Sequence, residues 1–274
     1  MKIDGHHHFW NPERGDYGWM EQSGMEPLRR TFLPIDFEAY RKAFAIDKTV
    51  LVQAAPTNAE TEYLLGLADT TEFVAKVVGW IDFENRDDLR QLQRLAKHAK
   101  FSGVRPMIQD IADPEWMHRA DVAWAYDAII DLDLSFDALG FPLHIDGFQR
   151  LFERYPTMRV VIDHAMKPRI RDSAYESWAA GMSALATTTP AFCKLSGLAT
   201  EAQQNWSTES LAPYIRHIID RFGPARVMWG SDWPVLNLNG TYQKWHETAQ
   251  KMIAPAETAL IFGETAKKFY RIND

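Results

Sequence analysis

The amino-acid sequence predicts an α/β protein of the (β/α)8 TIM-barrel class. Two observations lead to this prediction. Eight short apolar segments typical of β-strands alternate along the chain with segments whose apolar residues recur every three or four positions. No linker rich in Pro, Gly or Ser interrupts this alternation, so residues 1–274 are expected to form a single domain.

The strand candidates are spaced widely enough for a crossover between neighbours, as parallel strands require. They are Lys2–Phe9, Thr49–Ala54, Val74–Phe83, Phe101–Ile108, Leu134–Asp137, Met158–His164, Ala191–Ser196 and Arg226–Asp232. The helical patterns are Arg86–Ala99, Asp121–Asp131, Phe148–Tyr155, Tyr175–Ala186 and Leu211–Phe222. An open doubly wound sheet is the alternative. That fold normally carries a glycine-rich turn after its first strand, where this chain has three histidines followed by Phe9 and Trp10.

The composition bounds the class of protein. A chain that is 46% apolar and 24% charged can bury a sizeable core. Its 30 Lys and Arg against 37 Asp and Glu give a formal net charge of -7, which argues against a nucleic acid or an anionic membrane as partner. There is no basic leader and no apolar run of about 18 residues, so a soluble cytoplasmic protein is expected. Cys193 is the one cysteine, which excludes an internal disulfide and a cysteine-based zinc site.

Polar residues lie near the carboxyl ends of most predicted strands. They are His6, His8, Gln53, Asp82, Arg105, Asp137, His164, Ser196 and Asp232. In a parallel barrel these ends converge on one mouth, where the loops form the active site. Any one of them could simply hydrogen-bond a loop. A ring of them from separate strands favours a functional site.

Four of these residues carry the chemistry. Strand periodicity places His6 and His8 on one side of the first strand and His7 on the other, which suits a divalent metal or a carbonyl oxygen. His164 and Asp232 end two later strands, where the structural alternatives are a satisfied core histidine and a helix cap. Together they predict a His3Asp cluster. Its imidazoles would hold a metal or an oxyanion while the carboxylate takes a proton from water.

A series of motifs keeps a fixed order along the chain from residue 2 to about Tyr270. They are Asp4–Trp10, Gly79–Asp82, Gly103–Arg105, Asp163–His164 with Lys167–Pro168, Cys193–Leu198 and Gly230–Pro234. In this combination the chain resembles the amidohydrolase superfamily (amidohydrolase 2 type). Within it, the motifs resemble the branch of sugar-lactone hydrolases that includes L-fuconolactonase and L-rhamnonolactonase, with pyrone-dicarboxylate lactonase more distant.

The resemblance implies hydrolysis of a small-molecule sugar lactone to the sugar acid at a barrel mouth that gathers His6, His8, His164 and Asp232. It implies either no required cofactor or one divalent metal, zinc first, held by these four residues. A binuclear site would have a bridging Lys or Glu at the fourth strand and a His at the fifth. This chain has Arg105 and Asp137 there, so a second metal is not expected.

A mechanism follows as a hypothesis. Asp232 removes a proton from water and returns it to the leaving oxygen, while the histidines or a zinc ion stabilise the oxyanion. Arg105 would contact the substrate or pair with a nearby carboxylate. The expected substrate-binding residues are Arg105, Trp10, Trp80, Gln53, Asp82, His144 and Trp233. The three tryptophans would stack on a sugar ring or pack in the core.

Three nearby residues receive no catalytic role. Lys167 is expected to be a solvated loop lysine. Lys194 and Ser196 alternate with Cys193 and Leu195, so only one set can face the mouth. Ser196 lacks the Gly-x-Ser-x-Gly elbow that exposes a nucleophile, so a serine triad is rejected.

The alternatives to a sugar lactonase are a metal-dependent decarboxylase of the same superfamily, a muconolactone or pyrone-type lactonase, and a barrel that binds or isomerises a sugar acid. Specificity is expected in the loops Asn11–Leu33, Gln109–Met117 and Pro234–Tyr242. The sequence identifies neither the sugar nor the oligomeric state.

Overall fold

A computed structural model describes residues 1–273 and contains an eight-stranded sheet whose strands pair in sequence order, each parallel to the next. The strands are β1 (Ile3–His7), β2 (Lys48–Val52), β3 (Val74–Gly79), β4 (Phe101–Val104), β5 (Ser135–Ala138), β6 (Arg159–Ile162), β7 (Phe192–Leu195) and β8 (Val227–Trp229). The sheet closes where Asp232 N–H donates to the His6 carbonyl (2.8 Å) and His8 N–H donates to the Trp233 carbonyl (2.7 Å). The predicted (β/α)8 class is therefore confirmed. The last residue of the predicted domain, Asp274, lies outside the described residues.

Helices follow the strands around the barrel. They are α1 (Pro34–Ala43), α2 (Asn58–Asp69), α3 (Asp88–Leu95), α4 (Ala123–Asp131), α5 (Ile145–Arg154), α6 (Glu176–Thr188), α7 (Leu198–Glu201), α8 (Thr208–Phe222), α9 (Tyr242–Met252) and α10 (Thr265–Tyr270), the last preceded by a π-helical turn, Leu260–Glu264. The five predicted helical patterns overlap α3, α4, α5, α6 and α8, whereas α1, α2, α7, α9 and α10 were not predicted. Within residues 1–273, no helix is long and apolar enough to cross a membrane.

Local sequence signals set several helix ends. The Thr57 hydroxyl accepts from Glu60 N–H (3.0 Å) at the start of α2, and the Thr241 hydroxyl accepts from Lys244 N–H (3.1 Å) at the start of α9. After α1, Ile46 N–H donates to the Arg41 carbonyl (2.9 Å) while Ala45 takes a left-handed φ of 51°. This is a Schellman ending with alanine where glycine is usual.

Seven of the eight strands end earlier than predicted, whereas β5 runs one residue further, to Ala138. We expected the sixth and eighth strands to run to His164 and Asp232, but β6 ends at Ile162 and β8 at Trp229. The physical reason is that His164 and Asp232 have left-handed φ values of 51° and 58°, which no strand can continue. The chain turns at these residues and aims their side chains over the barrel mouth.

The barrel interior is layered. An apolar layer of Ile3, Val50, Val52, Val78, Val161 and Met228 packs against Ala266, Phe269, Tyr270 and Ile272 of the C-terminal segment. The opposite faces of the strands pack against the surrounding helices in the larger core, which includes Leu51, Val77, Phe136 and Leu195. Above the apolar layer the buried interior becomes polar. This polar layer leads to the mouth.

Candidate active site

Three imidazoles converge on one carboxylate oxygen at the mouth. Asp232 Oδ1 lies 3.3 Å from His8 Nε2, 3.8 Å from His6 Nε2 and 3.8 Å from His164 Nε2. His6 Nε2 and His8 Nε2 are 3.2 Å apart. Three different strands thus bring the four residues of the predicted cluster together, and all four side chains are buried.

The local backbone explains how β1 supplies two of them. The register of β1 against β2 shifts between Asp4 and His7, which resets the alternation of side chains along the strand. His6 and His8 therefore face inward. His7 faces outward, where its Nε2 lies 2.8 Å from the Thr49 hydroxyl and its ring stacks on Phe37.

The partners on the far sides of the rings orient them. His8 Nδ1 lies 2.8 Å from the Val52 carbonyl, so Nδ1 carries the proton and the lone pair of Nε2 faces Asp232. His164 Nδ1 lies 2.9 Å from the Ser196 hydroxyl. Ser196 is fully buried, so it holds His164 in place rather than reaching substrate. This position is consistent with the rejection of a serine triad.

At neutral pH, burial keeps the histidines neutral, whereas Asp232 is ionised despite its burial. Desolvation lowers the pKa of His164 to about 4 and holds that of His6 well below its ordinary value. Burial also lowers the pKa of His8. For Asp232, burial acts to raise the pKa, but His164 and His8 together outweigh it and leave the pKa below its ordinary value. Neutral imidazoles beside a carboxylate form a base rather than an acid.

The geometry fits a divalent cation. Zinc bonds of about 2.0–2.1 Å in a tetrahedron separate neighbouring ligand atoms by about 3.3 Å. The His6 Nε2, His8 Nε2 and Asp232 Oδ1 atoms are 3.2, 3.3 and 3.8 Å apart, which is close to that spacing. The other ring nitrogen of His6, Nδ1, lies 3.6 Å from Asp163 Oδ1 and 3.0 Å from Lys194 Nζ, so buried side chains hold the His6 ring on the side away from His8 and Asp232.

A buried ion network that the sequence did not predict lies beneath the cluster. Lys194 Nζ lies 2.7 Å from Asp137 Oδ2, 3.0 Å from Asp163 Oδ1 and 3.0 Å from His6 Nδ1. Tyr270 of α10 donates to the same oxygen of Asp137 at 2.6 Å. Lys194 and Ser196 face the barrel interior while Cys193 and Leu195 pack outside, as the alternation of side chains along a strand requires.

Arg105 contacts both this network and the cavity. Its Nη1 lies 3.3 Å from Asp163 Oδ2 and 3.4 Å from His6 Nε2, and its Nη2 donates to the Gln53 carbonyl. In return Gln53 Nε2 donates to the Arg105 carbonyl at 2.6 Å, which leaves Gln53 Oε1 buried without a partner. Arg105 thus pairs with a carboxylate, one of the two roles that the sequence left open, and it also lines the cavity, where substrate contact stays a prediction.

Above the cluster is a cavity of about 370 Å³ with His8, His164, Asp232 and Arg105 on its wall. The predicted specificity loops contribute to it, and its aromatic lining residues are Trp19 and Phe141. A larger cleft of about 690 Å³, lined by residues such as Arg171, Gln204 and Tyr214, contains none of the clustered histidines. The clustered histidines therefore make the smaller cavity the candidate active site.

The other residues that we assigned to substrate binding do not line this cavity. Trp10 is fully buried and its indole N–H donates to the Leu28 and Arg30 carbonyls, while Trp233 packs among Phe9, Phe32 and Phe37. Asp82 accepts from Glu84 N–H at 2.9 Å and His144 Nδ1 accepts from Phe141 N–H at 3.0 Å, so both stabilise turns. Trp80, which is partly buried, and the buried Gln53 also lie outside the lining.

Lys167 lines the cavity although the sequence analysis gave it no role there. We expected a solvated loop lysine, but its side chain lines the cavity and its Nζ donates to Gln109 Oε1 at 2.6 Å. It ends a run of four left-handed residues, His164 to Lys167, with φ between 47° and 59°. Such backbone costs about 1–2 kcal/mol per residue for L-amino acids and concentrates at functional sites. No sequence pattern of strands or helices signals such a turn.

Comparison with known proteins gives the class. The amidohydrolase family profile matches residues 3–272, so the chain belongs to the amidohydrolase family.

Two curated relatives share a name. An L-fucono-1,5-lactonase of Burkholderia ambifaria is 40% identical, covering 100% of this chain and 96% of the relative. An L-fucono-1,5-lactonase of Burkholderia multivorans is 34% identical, covering 99% and 96%. Among solved structures, an amidohydrolase from Burkholderia multivorans with bound zinc superposes with a TM-score of 0.93 at 32% identity over 100% of both chains.

Proposed function

We propose that this protein hydrolyses a sugar lactone to its sugar acid, with L-fucono-1,5-lactone as the first candidate substrate. The observation that carries the proposal is the convergence of three imidazole nitrogens on Asp232 Oδ1 at the floor of the cavity. A second support is sequence similarity, since this chain is 40% identical over 100% of its length to a curated L-fucono-1,5-lactonase.

Asp232 acts as the general base. Its Oδ1 faces the imidazoles, while its Oδ2 has no hydrogen-bond partner within residues 1–273 and remains available for water. Because the pKa of Asp232 lies below its ordinary value, the carboxylate is ionised at neutral pH and can take a proton. The same group then returns the proton to the ring oxygen that leaves.

The histidines and Arg105 stabilise the carbonyl oxygen. Neutral His6 and His164 border the position where negative charge develops, and Arg105 carries a permanent positive charge on the cavity wall. Fixed donors and charges of this kind need no reorganisation as the charge forms. Ser196, Lys194 and the Val52 carbonyl hold the rings at this geometry.

One divalent cation, zinc first, fits His6, His8 and Asp232, with His164 beside them. When bound there, such a cation polarises a carbonyl oxygen or lowers the pKa of water. A second group of possible ligands, His6, Asp163 and His164, overlaps this site, but its Asp163 is already paired with Lys194, so we propose a single cation. The proposal also places the enzyme in the cytoplasm, acting on a small molecule.

An aldonolactone panel followed with a pH indicator tests the proposal. The expected result is acid release from L-fucono-1,5-lactone far above the spontaneous rate. Full activity after chelation shows that the side chains suffice, and a loss restored by zinc shows that the cation takes part. Turnover of an aromatic or muconate-type acid with loss of CO2 instead, or binding of lactone without consumption, contradicts the proposal.

A further inference from the structure

Two opposite charges on the cavity wall have no role in the hydrolytic step. Lys167 follows the left-handed turn after β6, and Glu201 ends α7. Both side chains line the cavity that holds Asp232. They come from different strand-to-helix connections, so the barrel brings them together at the mouth without any local sequence relation.

The backbone fixes the position of Lys167. Its N–H donates to the His164 carbonyl at 2.8 Å, which closes a tight turn between residues i and i+3. In such a turn the side chains of these two residues lie on the same side. Lys167 is therefore held above the same cavity that His164 enters, at a cost in backbone strain that a loop lysine without a function would not need.

The ammonium of Lys167 has hydrogen-bonding capacity to spare. Its Nζ donates one hydrogen bond, to Gln109 Oε1 at 2.6 Å, and lies 5.4 Å from the centre of the Phe141 ring. No other acceptor contacts it in the part of the chain that the structure describes. Since an ammonium has three donors, two can point to a ligand in the cavity.

Glu201 offers the complementary group. Its side chain is partly buried, and its carboxylate has neither a hydrogen bond nor an ion pair within residues 1–273. Burial raises the pKa of Glu201, while Lys167 and Arg171 oppose that rise. An acceptor desolvated in this way and left without a protein donor gains most from a ligand that donates.

We propose that Lys167 and Glu201 form a hydroxyl-binding subsite that selects a polyhydroxylated lactone ring. The ammonium donates to one hydroxyl oxygen, and the carboxylate accepts from a hydroxyl on the same ring. Trp19 and Phe141 on the cavity wall provide apolar faces for the C–H side of the ring. The inference rests on the proposed lactonase function and adds the residues that choose its substrate class.

The test compares a sugar lactone with a ring that lacks hydroxyls. Values of kcat and KM are measured for L-fucono-1,5-lactone and δ-valerolactone with wild type, Lys167→Met and Glu201→Gln. Each variant is expected to lose about 10- to 100-fold in kcat/KM on the sugar lactone, mainly through KM, because a hydrogen bond to a charged group is lost. On δ-valerolactone the change is expected to stay within about 3-fold. Lys97→Met and Glu264→Gln remove the same types of charge at exposed positions and serve as matched controls. Their kcat/KM values are expected to equal those of wild type on both substrates.

Equal losses on both lactones, or no loss on either, overturn the subsite. Circular dichroism and melting temperature establish that each variant is folded. If wild type hydrolyses no lactone, the proposed function fails separately, and the subsite is then judged by calorimetric binding of the sugar acid L-fuconate. Unchanged L-fuconate affinity in Lys167→Met and Glu201→Gln refutes it, and a loss of about 10-fold or more supports it.

Discussion

Replacement of Lys194 by Met tests the buried ion network that holds His6. Lys194 Nζ lies within 3.0 Å of Asp137, Asp163 and His6, and all four side chains are fully buried. Removing the cation leaves two buried carboxylates with one fewer partner each, and a broken buried pair costs about 3–5 kcal/mol. We therefore expect Lys194→Met to lower the free energy of unfolding by about 3–5 kcal/mol at pH 7.

The assay is urea unfolding followed by the fluorescence of the ten tryptophans. Lys97→Met, at an exposed position, controls for loss of a positive charge. Asp137→Asn combined with Lys194→Met is expected to be less damaging than the sum of the single changes by at least about 1 kcal/mol, because the two side chains are coupled. The loss should also shrink as the pH falls, since burial already raises the pKa of Asp137 and a protonated carboxyl needs no cation. A loss below about 1 kcal/mol, or additive effects, refutes this role of Lys194.

Two further predictions concern the stability of parts of the fold outside the histidine cluster. Burial raises the pKa of Glu60 from 4.5 to about 7, so its carboxyl keeps its proton in the folded chain after the unfolded chain has released it. The free energy of unfolding should consequently fall by about 3 kcal/mol as the pH rises from about 4.5 to about 7, and Glu60→Gln should abolish this fall. If the free energy of unfolding depends on pH in the same way in wild type and Glu60→Gln, the idea is contradicted. Ala45→Gly should stabilise by about 0.5–1 kcal/mol because it relieves the left-handed φ after α1, whereas Ala184→Gly inside α6 should destabilise by about 1 kcal/mol. Calorimetric melting of both glycine variants checks the two signs, and a loss of stability in Ala45→Gly would refute the strain argument.

The barrel and the chemical cluster could be predicted because both depend on simple periodicities. Alternating strand-like and helix-like segments fix the fold class, and parallel strands bring their carboxyl ends to one mouth. His6, His8, His164 and Asp232 each stand at such an end. Their convergence follows from the topology, although the register shift in β1 and the left-handed turn at His164 could not be read from the sequence.

The residues around the cluster were harder to predict because loops position them. Trp10 and Trp233 stand beside strand ends in the sequence, but their rings turn into the core, whereas Trp19 comes from the middle of a long loop and reaches the cavity. Lys167 reaches it through an unusual backbone turn. Loop conformation depends on contacts distant in sequence, so residue type alone does not reveal which tryptophan or lysine faces a ligand.

The most direct test of the account is the rate of L-fucono-1,5-lactone hydrolysis by Asp232→Asn. Asparagine keeps the shape of the side chain and one acceptor toward the imidazoles but removes the base. We predict that kcat/KM falls at least about 100-fold while the circular dichroism spectrum and melting temperature stay close to wild type. A folded Asp232→Asn protein with full lactonase activity would contradict the mechanism.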